Sequence, residues 1–170
     1  MAHIFCKALC GASFLLQVSK MQAGLFFTCV LLFSCVVDGL NYRDCGSTVG
    51  TLLDLNVSGC DGKEQCPLKR GTDVEIVITY RANDSIKRIK PVVKGKLSIL
   101  PAVPFNGVQA NGCQSTQPSC PLNAGDISVY RNIIPVKSWY PTVSVEVHWA
   151  LEDEQKRNIV CVKIPSKIEE

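Results

Sequence analysis

Thr142-Val143-Ser144-Val145-Glu146-Val147-His148-Trp149-Ala150-Leu151 is the most regular stretch of this 170-residue chain. Val143, Val145, Val147, Trp149 and Leu151 alternate with Thr142, Ser144, Glu146 and His148. Successive side chains of a strand point to opposite faces, so a period of two predicts a strand with one core face and one wet face. The period recurs upstream, where Val74, Ile76, Ile78 and Tyr80 alternate with Glu75, Val77 and Thr79 in a strand that starts at Asp73. Downstream, Ile159, Cys161 and Lys163 share one face and Val160, Val162 and Ile164 the other, the pattern of a strand covered on both sides. Further strands are expected at about Thr51–Val57, at Ile86–Leu100 with an interruption at Pro91, and at Ile127–Ile134. Glu152-Asp153-Glu154 lies between two strand patterns and reads as a solvated hairpin turn. Helical spacing is not sustained after residue 47, so the chain is expected to be all-β, a sandwich of about seven short strands in two antiparallel sheets.

Six cysteines follow residue 40: Cys45, Cys60, Cys66, Cys113, Cys120 and Cys161. Many connectivities are open to six thiols; proximity suggests Cys60–Cys66, Cys113–Cys120 and a long bridge Cys45–Cys161 that ties the first strand to the last. Such bridges persist in an oxidising compartment. The N-terminus agrees. Leu25–Val37, LFFTCVLLFSCVV, is shorter than the roughly 20 residues a membrane span needs and fits the apolar core of a signal peptide. Residues 1–39 are therefore expected to be a leader, with Met21 as a possible start, and residues 40–170 a single domain. Secretion makes Asn56-Val57-Ser58 and Asn83-Asp84-Ser85 candidate glycosylation sites at Asn56 and Asn83.

Charge and motif content exclude several function classes. The chain carries 18 Lys and Arg against 15 Asp and Glu, a near balance that argues against a nucleic-acid partner. Lys87, Arg88, Lys90, Lys94 and Lys96 form the one basic stretch. It reads as a strand edge kept charged against aggregation or, more sharply, as a weak contact for anionic lipid headgroups. His148, the one histidine after residue 40, falls on the wet face of its strand, away from any nucleophile, and no Gly-x-Ser-x-Gly elbow is present. Cys-x5-Cys and Cys-x6-Cys spacings fit bridges better than zinc knuckles. Neither an enzyme nor a metal or cofactor site is expected.

Apolar residues outside the alternation carry the remaining information. Leu100-Pro101-Ala102-Val103-Pro104-Phe105 and Ile133-Ile134-Pro135-Val136, the latter followed by Trp139-Tyr140-Pro141, are apolar segments broken by prolines. Proline keeps them out of central strands. Their large side chains either plug the sandwich or line an opening between its sheets.

A resemblance decides between the two. Asp44-Cys45-Gly46-Ser47, Asn56-Val57-Ser58-Gly59-Cys60 leading to Cys66, Val103-Pro104-Phe105, Gly112-Cys113 leading to Cys120-Pro121, Ile134-Pro135-Val136-Lys137-Ser138 with Tyr140-Pro141, and Val147-His148-Trp149 before Cys161 together resemble the ML lipid-recognition family, in its sterol-transfer branch. The resemblance implies an immunoglobulin-like sandwich with the pairing suggested above and a lipid held between the sheets. It implies sterol-pocket roles for Phe105, Val136, Tyr140 and Pro141, the last two at the mouth. Val147 and Trp149 would line the depth or belong to the core. It further implies a monomeric carrier, secreted or in the endosome or lysosome lumen, that passes sterol to a membrane surface or a lysosomal membrane sterol transporter. Family members also carry fatty acids or small hydrophobic semiochemicals, or present bacterial lipid in innate immunity. Asn111, Gln114 and Trp139 depart from the mammalian-type pattern, which has charged residues at those positions; they alter the rim and leave the pocket pattern intact. Cys113–Cys120 is expected to fix the loop that begins at Phe105, at that rim.

Overall fold

The computed structural model describes residues 39–97, 101–105 and 107–170; the expected leader and residues 98–100 of the strand expected after Ile86 lie outside them. Its strands are β1 Arg43–Asp44, β2 Gly50–Val57, β3 Cys66–Lys69, β4 Asp73–Ala82, β5 Lys90–Lys96, β6 Val103–Pro104, β7 Thr116–Gln117, β8 Ile127–Pro135, β9 Ser144–Glu152 and β10 Asn158–Glu169. One sheet runs β1-β10-β9-β5-β6, with β3 also against β10, and the other runs β2-β4-β8-β7. All pairs are antiparallel except β3 with β10, which is parallel.

The alternation is realised as core. Val74, Ile76, Ile78 and Tyr80 of β4 are buried, as are Val145, Trp149 and Leu151 of β9. The Trp149 and Tyr130 rings meet edge to face at 6.1 Å and join the sheets. Register places Leu151, Trp149 and Val147 opposite Val160, Val162 and Ile164, so these form one inward face. The other face of β10 is covered too. Cys161 is bonded there to Cys45, and a Cβ on Gly50 would meet the Ile159 carbonyl oxygen at 2.5 Å, so the segment before β2 packs directly over that strand.

Four features differ from the sequence expectation. Pro91 lies inside β5 rather than interrupting it, opposite Leu151 on the β9 side, because β6 covers the other edge of β5 only at Lys94 and Gly95. β10 extends to Glu169 because β3, too short to show a period, adds to its far end. Asp153 is buried rather than solvated: its carboxylate accepts from the Gln155 N–H and the Arg157 N–H at 2.8 Å and from Arg157 Nε at 2.7 Å, which closes the β9–β10 hairpin. Finally, all three suggested bridges form, but Cys113–Cys120 is not at the rim. Its 3-10 turn, Gly112–Ser115, sits near the start of β5, with the Gly112 N–H donating to the Ile89 carbonyl at 2.8 Å, whereas the Phe105 N–H donates to Val93 further along. A Cβ on Gly112 would meet Ile89 Cγ2 at 2.6 Å, so only glycine fits this approach.

Candidate functional site

At one end of the sandwich the inner faces part around an apolar chamber with about 70 Å³ of free space. Val57, Val74, Ile76 and Ile134 line it from the β2-β4-β8 sheet, and Leu68, Val93, Val147, Trp149, Ile164 and Ile168 from the other. Ser166 is the polar residue among the walls, and its hydroxyl is turned to the Ile164 carbonyl at 3.1 Å. The lining offers a guest no fixed charge. It selects for apolar bulk alone.

The segment after β8 closes this chamber, and backbone hydrogen bonds to the β3–β4 turn hold it. The Val136 N–H donates to the Thr72 carbonyl at 2.8 Å, and the Gly71 N–H to the Val136 carbonyl at 2.7 Å. Gly71 has φ +74°, a left-handed turn that favours glycine. Arg70 Nη1 donates to the Tyr140 carbonyl at 3.3 Å and pairs with Glu170. Tyr140 is thereby placed edge to face with Phe105 at 5.9 Å. Both rings also border a wider outer groove of about 390 Å³, lined by Val103, Pro104, Pro141, Val143 and Val145 among others. Phe105 and Tyr140 therefore stand between groove and chamber.

Of the residues named from sequence, Phe105, Val136, Tyr140, Val147 and Trp149 line the chamber and Pro141 lines the groove. The other walls, Val57, Cys66, Leu68 and Ile168 among them, were not anticipated. The first three follow Asn56 or flank Pro67 in short segments, and an inward residue at the chamber has the same spacing as one in solid core. The bridge that borders the chamber is Cys60–Cys66. Trp139 is 74% exposed beside the mouth, with Lys137 Nζ 5.8 Å from its ring centroid. Asn111 accepts from the Cys113 N–H and caps the 3-10 turn, and Gln114 accepts from Gln109, so both departures serve the loop near β5. Asn56 and Asn83 are exposed.

His148 is less exposed than its alternation implied. It is half-buried, with Nε2 3.0 Å from Cys161 Sγ. Cys45, His148 and Cys161 cluster as metal ligands would, but the two sulfurs are bonded to each other and present no thiolate. Burial, then the charges of Lys163 and Lys94, hold the His148 imidazolium pKa below its usual value. A depressed histidine favours the neutral form in the folded state, so its contribution to stability is present above the unfolded pKa of about 6.5 and is lost as pH falls below it. His148→Gln is expected to flatten the fall in Tm across that window, as read by thermal unfolding at a series of pH values.

Comparison with known proteins agrees with this architecture. The family model described as "ML domain" matches residues 39–168. "NPC intracellular cholesterol transporter 2" of Bos taurus is 34% identical, covering 85% of this chain and 98% of its own. Its homolog a from Drosophila melanogaster is 36% identical, covering 76% and 88%, and the "Ecdysteroid-regulated 16 kDa protein" of Manduca sexta is 33% identical, covering 85% and 99%. The crystal structure of a Niemann-Pick type C2 protein from Japanese carpenter ant superposes with a TM-score of 0.71 at 28% identity, covering 76% of this chain and all of that one. A two-sheet sandwich stapled by Cys45–Cys161, Cys60–Cys66 and Cys113–Cys120 around an apolar chamber, matched over residues 39–168, places the chain in the ML domain family.

Proposed function

We propose that this protein is a non-enzymatic carrier that holds a sterol between its two sheets and passes it to a membrane surface or to a membrane-bound sterol transporter. The observation that carries this reading is the chamber: apolar walls drawn from both sheets, with Phe105 and Tyr140 between it and the outer groove. Pockets for ligands of this size measure about 300–1,000 Å³. The 70 Å³ chamber is too small and the 390 Å³ groove beside it is not. Uptake therefore requires the Phe105 and Tyr140 rings to swing aside and the sheets to part at this end. A sterol of roughly 28 heavy atoms, at about 0.3 kcal/mol per atom, gains on the order of 8 kcal/mol, a micromolar affinity that permits release. Trp139 and Lys137 at the mouth suit contact with a bilayer interface, where an amphipathic ring and a cation both find partners. The carrier acts as a monomer in the secretory or endosome and lysosome lumen, where its bridges persist.

A fatty acid is the second reading, and the small chamber favours it: a linear chain needs less widening than fused rings. Both are read in one experiment. Lipid extracted from the purified protein is identified by mass spectrometry, and uptake of labelled cholesterol and labelled oleate is compared. Cholesterol recovered and taken up in preference to oleate supports the first reading, and the reverse order the second. Neither lipid recovered nor taken up would overturn both.

A further inference from the structure

The outer face of the six-stranded sheet takes no part in the chamber. Register places Lys94 of β5, His148 of β9, Lys163 of β10 and Arg43 of β1 directly opposite one another, a single row across four strands. Val147 and Trp149 face the chamber, so the row turns outward. By the same alternation Lys90, Lys96 and Lys167 share its face. The acids there are Glu146, which pairs with Arg43 and lies 3.8 Å from Lys163 Nζ, Glu152, opposite Lys90, and Glu169 at the end of β10, opposite Lys69 of β3. Like charges set directly opposite destabilise a sheet, and a bound anion relieves that repulsion. The charge continues into the segment before β5. In Ile86-Lys87-Arg88-Ile89-Lys90-Pro91 both isoleucines are fully buried and the three cations are exposed. The Lys87 and Arg88 N–H groups donate to the Glu154 carboxylate, which anchors the segment.

We propose that this face binds a linear sulfated polysaccharide, with the row Lys94–His148–Lys163–Arg43 and the Lys87–Lys90 segment holding its sulfates. Clustered cations in this pattern gather polyanions, and strands spaced about 4.8 Å apart set the row in a line about 14 Å long. The face carries little of what the alternatives need. Exposed Leu53, Ile127 and Ile133 belong to the other sheet, Val103 pairs with Gly95 on the chamber side, Trp139 stands at the mouth, and of the exposed large apolar residues Tyr42 alone lies near the row, next to Arg43 at its end. A bilayer or a folded acidic protein would seek an apolar anchor among the charges. The sequons leave the face open: Asn56 lies on β2 of the other sheet, and Asn83 follows the end of β4 of that sheet.

His148 makes this binding respond to pH. The charges around it are Lys94 on β5, Lys163 on β10 and Glu146 and Glu152 on its own strand, with the Cys45–Cys161 bridge against the ring. Sulfates laid across the row offset the effect of the lysines and raise the His148 pKa in the complex, so binding takes up a proton and affinity rises as pH falls through that pKa.

Affinity for immobilised heparin, measured with the full domain at about pH 5.5 and about pH 7.5, tests the proposal. Tighter binding at the lower pH is expected, with preference over hyaluronate, which lacks sulfate, and over phosphatidylserine vesicles. Lys90→Ala with Lys163→Ala should weaken heparin binding about tenfold or more, and His148→Gln should remove the pH dependence. Lys87→Ala with Arg88→Ala, exposed and outside the strands, is the parallel variant should the first pair disturb folding. Sterol uptake should persist in each variant, which separates this surface from the carrier reading. Equal binding to hyaluronate, preference for the vesicles, or unchanged heparin affinity in both double variants would overturn the proposal.

Discussion

Replacing both Cys45 and Cys161 with alanine is expected to lower stability by about 3–4 kcal/mol and Tm by about 10–20 °C, as read by calorimetry and chemical denaturation. The bridge spans a sequence separation of 116, the largest of the three, and in the chain-entropy account a loop of that size contributes up to about 4.7 kcal/mol before native strain is subtracted. Cys60–Cys66 closes a separation of 6 and is expected to contribute about 2 kcal/mol. Local structure strengthens the expectation. β1 pairs with β10 through two residues only, so the segment before β2 depends on a small set of contacts. These include the Cys45 N–H to the Cys161 carbonyl at 2.9 Å, the Cys161 N–H to Ser47 Oγ at 3.0 Å, Asn158 Nδ2 to the Gly46 carbonyl at 3.0 Å, and the Thr48 and Val49 N–H groups to the Asn158 carbonyl at 2.9 and 3.0 Å. The bridge holds all of them in register, and His148 rests on it. Because Cys45 and Cys161 do not border the chamber, the variant should still take up lipid at low temperature. A fall below about 1 kcal/mol would show that the segment is held by its hydrogen bonds and not by the bridge.

How far the fold is legible in the sequence depends on where each strand's stability originates. β4, β9 and β10 write their orientation into every second residue, because one face must bury valine, isoleucine and tryptophan while the other meets water. β1, β3, β6 and β7 leave no such record. Each is two to four residues long and exists because a longer neighbour supplies its hydrogen bonds, so the information lies in β5, β8 and β10. Asp153 shows another limit. An acid in a turn between Glu152 and Glu154 has the composition of a solvated loop, and only the hairpin's closure brings the Arg157 guanidinium and two N–H groups onto its carboxylate. For Cys113–Cys120, chain proximity to Phe105 suggested the rim, yet the loop between them carries the bridge back to the start of β5.

The chamber was legible for a different reason. Val103-Pro104-Phe105 and Ile134-Pro135-Val136 stand out as apolar runs broken by proline; the structure does not keep them out of strands but puts each proline at an uncovered edge, Pro104 in the two-residue β6 and Pro135 at the end of β8 beyond the reach of β7. They end at the open end of the sandwich for that reason. The strand-borne walls, such as Val57, Ile164 and Ile168, cannot be told from core in one dimension. Whether an inward residue meets a neighbour or a void depends on how far apart the sheets lie at that point, and no local pattern encodes that separation.

Val136→Phe is expected to reduce sterol uptake by more than about tenfold while changing stability by no more than about 1 kcal/mol. Val136 is 5% exposed and faces the chamber from the anchored segment, so the four added carbons project into the space that a guest must enlarge. Overpacking a filled core costs about 1–3 kcal/mol because neighbours are forced off their rotamers. Here 70 Å³ is already free, and a ring placed in it gains dispersion contacts that offset the crowding. Phe105→Ala tests the same site from the opposite side. It opens the way from groove to chamber but removes the ring that packs on Tyr140, so bound lipid should exchange faster and be retained more weakly. Labelled-sterol uptake and release, read beside cooperative unfolding in denaturant, separate binding from folding. If Val136→Phe unfolds at markedly lower denaturant and Phe105→Ala binds sterol as the parent does, these residues are ordinary core and the ligand enters elsewhere. If both fold as the parent does and both lose sterol, the chamber is the binding site and its small resting volume is the closed state of a carrier that opens around its cargo.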